Sequence, residues 1–214
     1  MRSIWRMWKI AGNWVIGVWR RSITQLPNYT ITIFLFVVLV GCSSVDPVVK
    51  IGLVAPFEGA QRAVGYDVIY SARLAVREIN QAGGIGGYRV ALVALDDSGD
   101  PELARQTAVA LAADPAVVAV LGHWLPETTA VAAPLYAQAN LPFIHMGAPP
   151  FGPADPATLP ADFVARYTAV TPFDEQPGPY AASTYAAFQQ LWQALEQAEQ
   201  QHGRLDRATV ANLR

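Results

Sequence analysis

The segment Lys50-Ile-Gly-Leu-Val-Ala-Pro-Phe57 decides the fold of this chain. It overlaps an apolar run, 48–55, that only Lys50 and Gly52 interrupt, and such runs are typical of strands buried on both faces of a parallel sheet. A glycine-containing stretch (57–65) and a helical pattern follow. In open α/β sheets, ligands bind beside the carboxyl ends of the strands. The order of strand, loop and helix therefore predicts an α/β fold with a ligand platform at this loop.

Strand and helix patterns alternate along the next hundred or so residues. Apolar residues at offsets 0, 3, 7 and 10 predict the first helix, and Asp100-Pro101-Glu102 supplies an N-cap, a first-position proline and a first-turn acid for the second. We predict strands at 48–55, 88–95, 117–121 and 141–146, and helices at 66–81, 101–113 and from Pro126 or Glu127 to about 140. Short loops between such elements predict a doubly wound parallel sheet with helices on both faces.

The composition changes after the fourth predicted strand. Eight of the 16 prolines lie between 149 and 179, where only a short helix at 161–167 is predicted, because proline interrupts regular structure. An amphipathic helix is predicted over 180–201, ending at Gly203, with a last helix capped by Asp206. We divide the chain into an export segment (1–42), an α/β ligand-binding lobe (43–148), a proline-rich connection (149–179) and C-terminal helices that pack on the lobe (180–214).

The first 42 residues carry the marks of export. Ile31 to Val40 is an almost wholly apolar run of ten, which suits a signal-peptide core and is shorter than the roughly 20 residues of a spanning helix. Leu39-Val40-Gly41-Cys42 resembles a bacterial lipobox, in which the cysteine is lipidated. The alternative is an uncleaved anchor with a chance cysteine. Cys42 is the only cysteine, so an internal disulfide is excluded. Both alternatives predict an exported protein, and the lipobox predicts a lipid anchor in the membrane.

The charge pattern bears on possible partners. All 17 acidic residues follow Cys42, against ten of the 15 basic ones, so this part of the chain has a net charge of −7. A basic patch is the electrostatic signature of nucleic-acid binding. An acidic domain of this kind predicts no nucleic-acid partner.

Two groups of polar residues were considered as chemical sites. Asp96-Asp97 after the second strand fits either a capped turn or a phosphoacceptor or magnesium site, but Lys50, the only lysine after Cys42, leaves no partner lysine for receiver-type phosphorylation. His123 and His145 end neighbouring strands and could approach each other, but a zinc site needs further ligands. No Gly-x-Ser-x-Gly elbow is present. We therefore predict no enzyme activity, no metal and no cofactor.

Several segments resemble the type I periplasmic solute-binding proteins of branched-chain amino acid ABC transporters. The matching segments occur in the family's order: 50–57 (Lys-Ile-Gly-Leu-Val-Ala-Pro-Phe), 74–85 (Leu-Ala-Val-Arg-Glu-Ile-Asn-Gln-Ala-Gly-Gly-Ile), 96–101 (Asp-Asp-Ser-Gly-Asp-Pro), 118–123 (Val-Ala-Val-Leu-Gly-His), 134–136 (Pro-Leu-Tyr) and 141–144 (Leu-Pro-Phe-Ile). The resemblance implies a periplasmic binding protein-like fold and a small-molecule solute. In this family two α/β lobes close on the ligand.

Later segments, 163–167 and 177–188, resemble the part of the family where the chain has returned to the first lobe. The units that would form the second lobe, expected after about Phe151, are missing between them. The resemblance therefore implies one lobe closed by its own returning C-terminal helix, with half of the usual cleft.

The resemblance also implies ligand contacts in the first lobe. Val64, in the loop after the first strand, aligns with an apolar or aromatic contact. The serine that amino acid-binding members use after the third strand falls at Pro126 or Glu127, and the threonine and amide after the fourth strand fall at 147–149. The predicted ligand-binding residues are Val64, Trp124, Glu127, Thr128, Thr129 and Gly147. Thr128 and Thr129 are placed to substitute for the missing hydroxyls, while Trp124 either stacks on the ligand or covers the surface of the lobe.

Two functional hypotheses follow. The first is a lipid-anchored solute-binding component of an ABC transporter, which would bind a small polar solute such as an amino acid, meet a permease and possess only one lobe; two copies could face each other as a homodimer. The second is an interaction module or a degenerate remnant of such a receptor without a transport role, which an exposed apolar cleft face would support.

Overall fold

The computed structural model describes residues 46–211. Within this range the strands are β1 (Val48–Ala55), β2 (Arg89–Asp96), β3 (Val117–Gly122) and β4 (Phe143–His145). The α-helices are α1 (Arg62–Gln81), α2 (Pro101–Ala113), α3 (Pro126–Gln138), α4 (Ala161–Thr168), α5 (Ala181–His202) and α6 (Arg207–Ala211), and a single 3₁₀ turn spans Pro156–Thr158. The Cys42 prediction lies outside the described residues.

The four strands form one parallel sheet in the order β2-β1-β3-β4. From β1 the chain passes to β2 at one edge of the sheet, and from β3 it passes to β4 at the other edge. Strand order therefore reverses between β1 and β3. The predicted doubly wound α/β fold is confirmed.

Helices cover both faces of the sheet. On one face Ile51 and Leu53 of β1 share a core with α1 and α5, to which Phe188 and Trp192 belong. On the other face Val54 shares a core with residues of α2 and α3. Gly52 permits the close packing of α2, because a Cβ there would lie 2.9 Å from Cδ1 of Leu111. Alternate side chains of β1 therefore pack into two cores, one on each face of the sheet. The predicted return of the C-terminal helix to the lobe is confirmed.

The proline-rich segment leaves and rejoins the lobe at one place. The amide of Ala154 donates to the carbonyl of Pro179 over 2.8 Å. Between these points α4 packs on α1 through a third apolar cluster that includes Tyr70, Phe163 and Tyr167. The segment is thus a short excursion anchored on the first helix.

Helix α6 closes the amino-terminal edge of the sheet. The Arg207 guanidinium donates to the carbonyls of Val117 (2.8 Å), Ala112 (2.8 Å) and Leu111 (3.1 Å), and also to that of Asp114. These carbonyls lie at the end of α2 and the start of β3, so one side chain joins three elements.

Some boundaries differ from the predicted ones for local reasons. Helix α1 begins at Arg62 rather than at 66, and Val64 therefore lies in its first turn and not in the preceding loop. Strand β4 is shorter than predicted because the amide of Leu141 bonds to the carbonyl of Tyr136 and completes the end of α3. Helix α5 ends, as predicted, at Gly203, which adopts a left-handed φ of 66°. No helix within 46–211 is both long enough and apolar enough to cross a membrane.

Candidate functional site

The carboxyl ends of all four strands lie at one edge of the sheet, here called the carboxyl edge. Ala55 pairs with Asp96 at the ends of β1 and β2, and Gly122 pairs with His145 at the ends of β3 and β4. Ligand sites in open α/β sheets lie outside this edge where strand order reverses, which here is between β1 and β3. The loops after these strands therefore form the candidate site.

Asp96 fixes the loop after β1. Its Oδ1 accepts hydrogen bonds from the amides of Phe57 (2.7 Å), Glu58 (3.2 Å) and Ser98 (2.8 Å), and its Oδ2 accepts one from the Ser98 hydroxyl (2.5 Å). Burial opposes ionisation of Asp96, but the hydrogen bonds from Ser98, Phe57 and Glu58 outweigh it and lower the pKa below its usual value. The ionised carboxylate thus joins two loops, in agreement with the capped-turn interpretation of Asp96-Asp97.

Asp97 has a different role from its neighbour. It is fully buried, and its Oδ2 lies 2.7 Å from Nδ1 of the equally buried His123. Nε2 of His123 lies 3.1 Å from the hydroxyl of Tyr136 on α3. A neutral imidazole with its proton on Nδ1 satisfies both contacts, since Nδ1–H donates to the carboxylate and Nε2 accepts from the phenol. Burial, and then the charge of Asp97, raise the pKa of Tyr136, so the phenol stays protonated.

This buried set of hydrogen bonds was not predicted from the sequence. An approach of His123 to His145 was the expectation, but both ring nitrogens of His123 bond to Asp97 and Tyr136 instead, and His145 is exposed. The signal available in the sequence was the pair of acids at the end of one strand and a histidine at the end of another. Within 46–211 no group of three or more histidine, cysteine, aspartate or glutamate side chains is placed to hold a metal ion.

Trp124 follows β3 directly and is only 5% exposed. It shares the large apolar core with Met146 and Phe151 from the stretch after β4. Its indole Nε1 is buried and has no hydrogen-bond partner in the described part of the chain. A buried donor without an acceptor is uncommon and calls for an explanation, such as a water or a ligand atom.

Gly147 determines how the β4 loop approaches Trp124. Its φ of 83° lies in the left-handed region, and a Cβ at this position would come within 2.4 Å of the Trp124 carbonyl oxygen. The amide of Gly147 donates to the carbonyl of Phe151 over 3.2 Å. Only glycine fits both the backbone angle and the contact.

The first turn of α3 presents free amides at the same edge. Leu125 at the N-cap provides no side-chain hydrogen bond, and Pro126 has no amide proton. The amide of Thr129 is the first that bonds within the helix, to the carbonyl of Leu125. Within residues 46–211 the amides of Glu127 and Thr128 are therefore the unsatisfied donors of this terminus. A helix N-terminus attracts anionic groups.

The two threonines predicted to bind ligand are engaged with the backbone. Thr128 is fully buried and its hydroxyl donates to the carbonyl of Leu125 (3.0 Å), while the hydroxyl of Thr129 donates to the carbonyl of His123 (3.1 Å). Each hydroxyl oxygen can still accept a hydrogen bond but has no proton left to donate. Glu127 is exposed at the tip of the helix.

Five of the predicted residues therefore gather at the carboxyl edge between β3 and β4: Trp124, Glu127, Thr128, Thr129 and Gly147. Val64 lies in the first turn of α1, where it is half-buried and packs against the large core. Next to it, Gly65 allows the helix to approach β1 closely, because a Cβ there would lie 2.5 Å from the carbonyl oxygen of Pro56. The ligand-binding role of each of these residues stays a prediction.

Comparisons with known proteins point in the same direction as this architecture. Residues 48–161 match the family model described as periplasmic binding protein. An amino acid binding protein of Pseudomonas aeruginosa is 34% identical over 99 residues, which are 46% of this chain and 26% of that protein. Leu/Ile/Val-binding protein homolog 2 of Brucella abortus is 30% identical over 148 residues, 68% of this chain and 38% of that protein.

A leucine binding protein from Thermotoga maritima supports the fold by structure. The two superpose with a TM-score of 0.59 over 77% of this chain and 86% of that one, at 13% sequence identity. The present chain spans 26% and 38% of the two curated relatives described above.

Proposed function

The chain belongs to the periplasmic binding protein family, and from this premise we propose that it is an extracytoplasmic solute-binding protein that serves an ABC transporter. Its relatives include proteins described as binding amino acids and Leu/Ile/Val. We propose the same class of ligand, a small amino acid, for the carboxyl edge of this lobe.

One observation supports the proposal beyond family membership: the segment directly after β3 contains hydrogen-bond donors without a partner among the described residues. Among the described residues the amides of Glu127 and Thr128 have no partner at the start of α3, and the indole Nε1 of Trp124 is likewise buried without one. A carboxylate is the group that such donors prefer, because it accepts several hydrogen bonds and carries the charge that a helix N-terminus stabilises.

A single lobe supplies only part of the contacts of a closed cleft. Weak affinity is therefore expected, with a dissociation constant of about 1 mM, which corresponds to about −4 kcal/mol. We propose that a facing second copy, in a homodimer, would restore affinity by covering the ligand. We propose further that Cys42 holds the protein at the membrane through a lipid and that a permease receives the solute.

The alternative hypothesis of an interaction module relied on an exposed apolar cleft face. In the described part of the chain the large exposed apolar residues are Val48, Tyr66, Leu103, Val109 and Phe173, and the loops after β3 and β4 contribute none of them. The apolar side chains of these loops, Trp124, Met146 and Phe151, are instead buried in the large apolar core. The loops after β3 and β4 therefore add no large exposed apolar side chain within the described residues, whereas the exposed Tyr66 and Leu103 lie near the starts of α1 and α2. The interaction-module hypothesis stays a prediction.

Calorimetric titration of the purified full chain with leucine, valine and leucinamide tests the proposal. Leucine and valine are expected to bind at millimolar concentration, and leucinamide, which lacks the carboxylate, about tenfold more weakly or not at all. The absence of heat with leucine at several millimolar would refute the transport function.

A pair of tryptophan variants locates the site. Trp124→Phe removes the indole donor and should weaken leucine binding by about threefold to tenfold, the usual effect of losing one hydrogen bond. Trp192→Phe is the matched control, because Trp192 is similarly buried and its Nε1 is likewise without a partner among the described residues, but it lies on α5. Equal weakening by both variants would exclude a direct role for Trp124.

A further inference from the structure

A concave site lies on the flank of the lobe, away from the carboxyl edge. It is a pocket of about 240 Å³ between the second half of α1 and α4, here called the flank pocket. Its lining residues are Leu74, Arg77, Glu78, Gln81, Arg166, Ala169 and Val170. Arg77 follows Val64 by 13 positions on the same helix, a separation of about 20 Å at 1.5 Å per residue. The flank pocket is therefore distinct from the proposed amino acid site.

Contacts within the pocket hold Arg166 in a fixed position. Its Nη1 donates to Glu78 Oε1 (2.8 Å) and to the Tyr185 hydroxyl (3.0 Å), and its guanidinium carbon lies 5.3 Å from the centre of the Tyr185 ring. The Tyr185 hydroxyl donates in turn to Glu78 Oε2 over 2.5 Å. Both oxygens of Glu78 are thus occupied, so its negative charge is neutralised inside the pocket wall.

Arg77 is the other arginine of the pocket lining, and it takes no part in these contacts. In the described part of the chain the carboxylates of Glu78 and Asp162 pair with Arg166, and no ion pair involves Arg77. Arg73, one helical turn earlier on α1, lies over the ring of Tyr70 at 5.6 Å and also has no carboxylate partner there. The pocket lining itself holds two guanidinium groups, those of Arg77 and Arg166, and one carboxylate, that of Glu78.

Part of the pocket wall is apolar. Leu74 is nearly fully buried and belongs to the cluster that joins α1 to α4, and Val170 packs against the same cluster. A pocket with an apolar wall and one uncompensated guanidinium is complementary to a molecule with an apolar tail and one negative group. Guanidinium also binds carboxylates in a two-pronged geometry that a single ammonium cannot offer.

We propose that the flank pocket binds a small monocarboxylate with a short apolar tail, which places the carboxylate on Arg77 and the tail on Leu74 and Val170. The volume agrees with this class of ligand. A cavity of about 150 Å³ accommodates benzene, and drug-sized ligands occupy about 300 to 1,000 Å³, so 240 Å³ suits a molecule of intermediate size. A dianionic group such as phosphate would be less well matched, because it has no tail and would leave the apolar wall uncovered.

Titration of the full chain with 4-methylpentanoate and with 4-methylpentanamide tests this proposal. The two probes have the same tail and differ in charge. The carboxylate is expected to bind at millimolar concentration and about tenfold more tightly than the amide. Equal binding of both probes would overturn the proposal. So would the absence of binding up to about 20 mM carboxylate, because the affinity would then be weaker than the millimolar range expected.

Arg77→Gln and Arg105→Gln provide the paired variants. Arg77 and Arg105 are both exposed helix residues, but Arg105 lies on α2 and pairs with Glu102. Arg77→Gln should weaken 4-methylpentanoate binding about tenfold and leave leucine binding at the carboxyl edge unchanged, while Arg105→Gln should change neither. If both variants bind 4-methylpentanoate equally, the flank pocket is not the site. 4-Methylpentanoate also carries the carboxylate proposed for the carboxyl edge, so the pattern across the two variants separates the proposals. Binding that persists in Trp124→Phe and is lost in Arg77→Gln assigns the flank pocket, and binding lost only in Trp124→Phe assigns the carboxyl edge and overturns the flank pocket.

Discussion

Asp97, His123 and Tyr136 form a buried polar chain that ties together β2, β3 and α3. All three are shielded from water, so each polar atom depends on its neighbour for hydrogen bonding. Leaving a buried polar group without its partner lowers the free energy of unfolding by more than the hydrogen bond itself contributes. These hydrogen bonds therefore hold the carboxyl edge in place immediately before Trp124.

Replacement of Asp97 by alanine should destabilise the protein strongly. The change removes the acceptor of His123 Nδ1 (2.7 Å) and leaves this buried N–H without a hydrogen bond. We expect the free energy of unfolding to fall by about 2 to 4 kcal/mol, measured by urea denaturation. Tyr136→Phe, which removes only the contact to Nε2, should cost about 1 kcal/mol. A smaller loss for Asp97→Ala than for Tyr136→Phe would contradict this interpretation.

Asp67 on α1 makes stability depend on pH in the opposite sense to most carboxylates. Burial raises its pKa above the usual value, although the amides of Tyr180 and Gly178 donate to it and lower the pKa in part; the charge of Glu175 raises it further. Because the pKa is higher in the folded than in the unfolded protein, the folded state binds the proton more tightly, and ionisation of Asp67 reduces stability. This loss appears as the pH rises from the ordinary pKa of 3.8 through the raised one.

Asp67→Asn should therefore stabilise the protein relative to wild type near neutral pH. The gain should shrink at about pH 3, where Asp67 is mostly protonated in both the folded and the unfolded protein. Urea denaturation of both proteins at the two pH values measures the difference. Asp96→Asn should behave in the reverse way, with its destabilisation greatest near neutral pH, because its pKa is lowered in the folded protein. A pH-independent difference between Asp67→Asn and wild type would show that Asp67 does not ionise as described.

At the scale of secondary-structure elements, glycines set the spacing between α1, the sheet and the loops. Gly65 brings the first turn of α1 against the backbone of Pro56 and Phe57, with distances from an added Cβ of 2.5 Å and 2.7 Å. Backbone atoms cannot move aside as side chains do, so the helix itself would have to shift. The position of the β1–α1 loop at the carboxyl edge depends on this contact.

Gly65→Ala should lower the free energy of unfolding by about 1 to 3 kcal/mol, the usual cost of forcing extra volume into a packed site. It should also weaken leucine binding, because the loop and the start of α1 would move. Gly152→Ala is the control, since nothing lies within 4 Å of the Cβ it would add. Equal denaturation midpoints for the two variants would refute the packing argument.

Most elements of the lobe were predictable because their signals are local. The N-cap at Asp100 accepts from the amides of Glu102 and Leu103 (2.8 and 2.9 Å), as the pattern Asp-Pro-Glu indicates. The start of α1 was placed too late because Gln61 at its N-cap offers no side-chain hydrogen bond, and so no capping signal appears in the sequence. Its beginning is determined instead by the contact of Gly65 with Pro56, nine residues away.

At the scale of the whole molecule, the returning helix α5 completes the core. Phe188, Leu191, Trp192 and Leu195 belong to the same cluster as Ile51 and Leu53 of the central strand. Without α5 this face of the sheet would be open to water. The lobe therefore depends on residues more than a hundred positions from its first strand.

Phe188→Ala should lower the free energy of unfolding by about 3 to 5 kcal/mol, as expected for a fully buried aromatic side chain. Phe173→Ala is the control, because Phe173 is 82% exposed and its removal should change stability by no more than about 0.5 kcal/mol. Denaturation curves of both variants measure the contrast. If Phe188→Ala unfolds at the same urea concentration as Phe173→Ala, α5 does not contribute to the core as described.

The segment Lys50–Phe57 and the patterns that follow it determined the elements of this lobe, because apolar periodicity, capping residues and glycine stops act over a few positions. The location of the candidate site at the carboxyl edge followed from strand order alone. Only the tertiary structure decided that His123 binds Asp97 and Tyr136, that the buried indole of Trp124 finds no acceptor among residues 46–211, and that Arg77 lines a pocket beside α4. These features depend on which loops and helices meet across the sheet, and contacts between distant segments leave no periodic trace in the sequence.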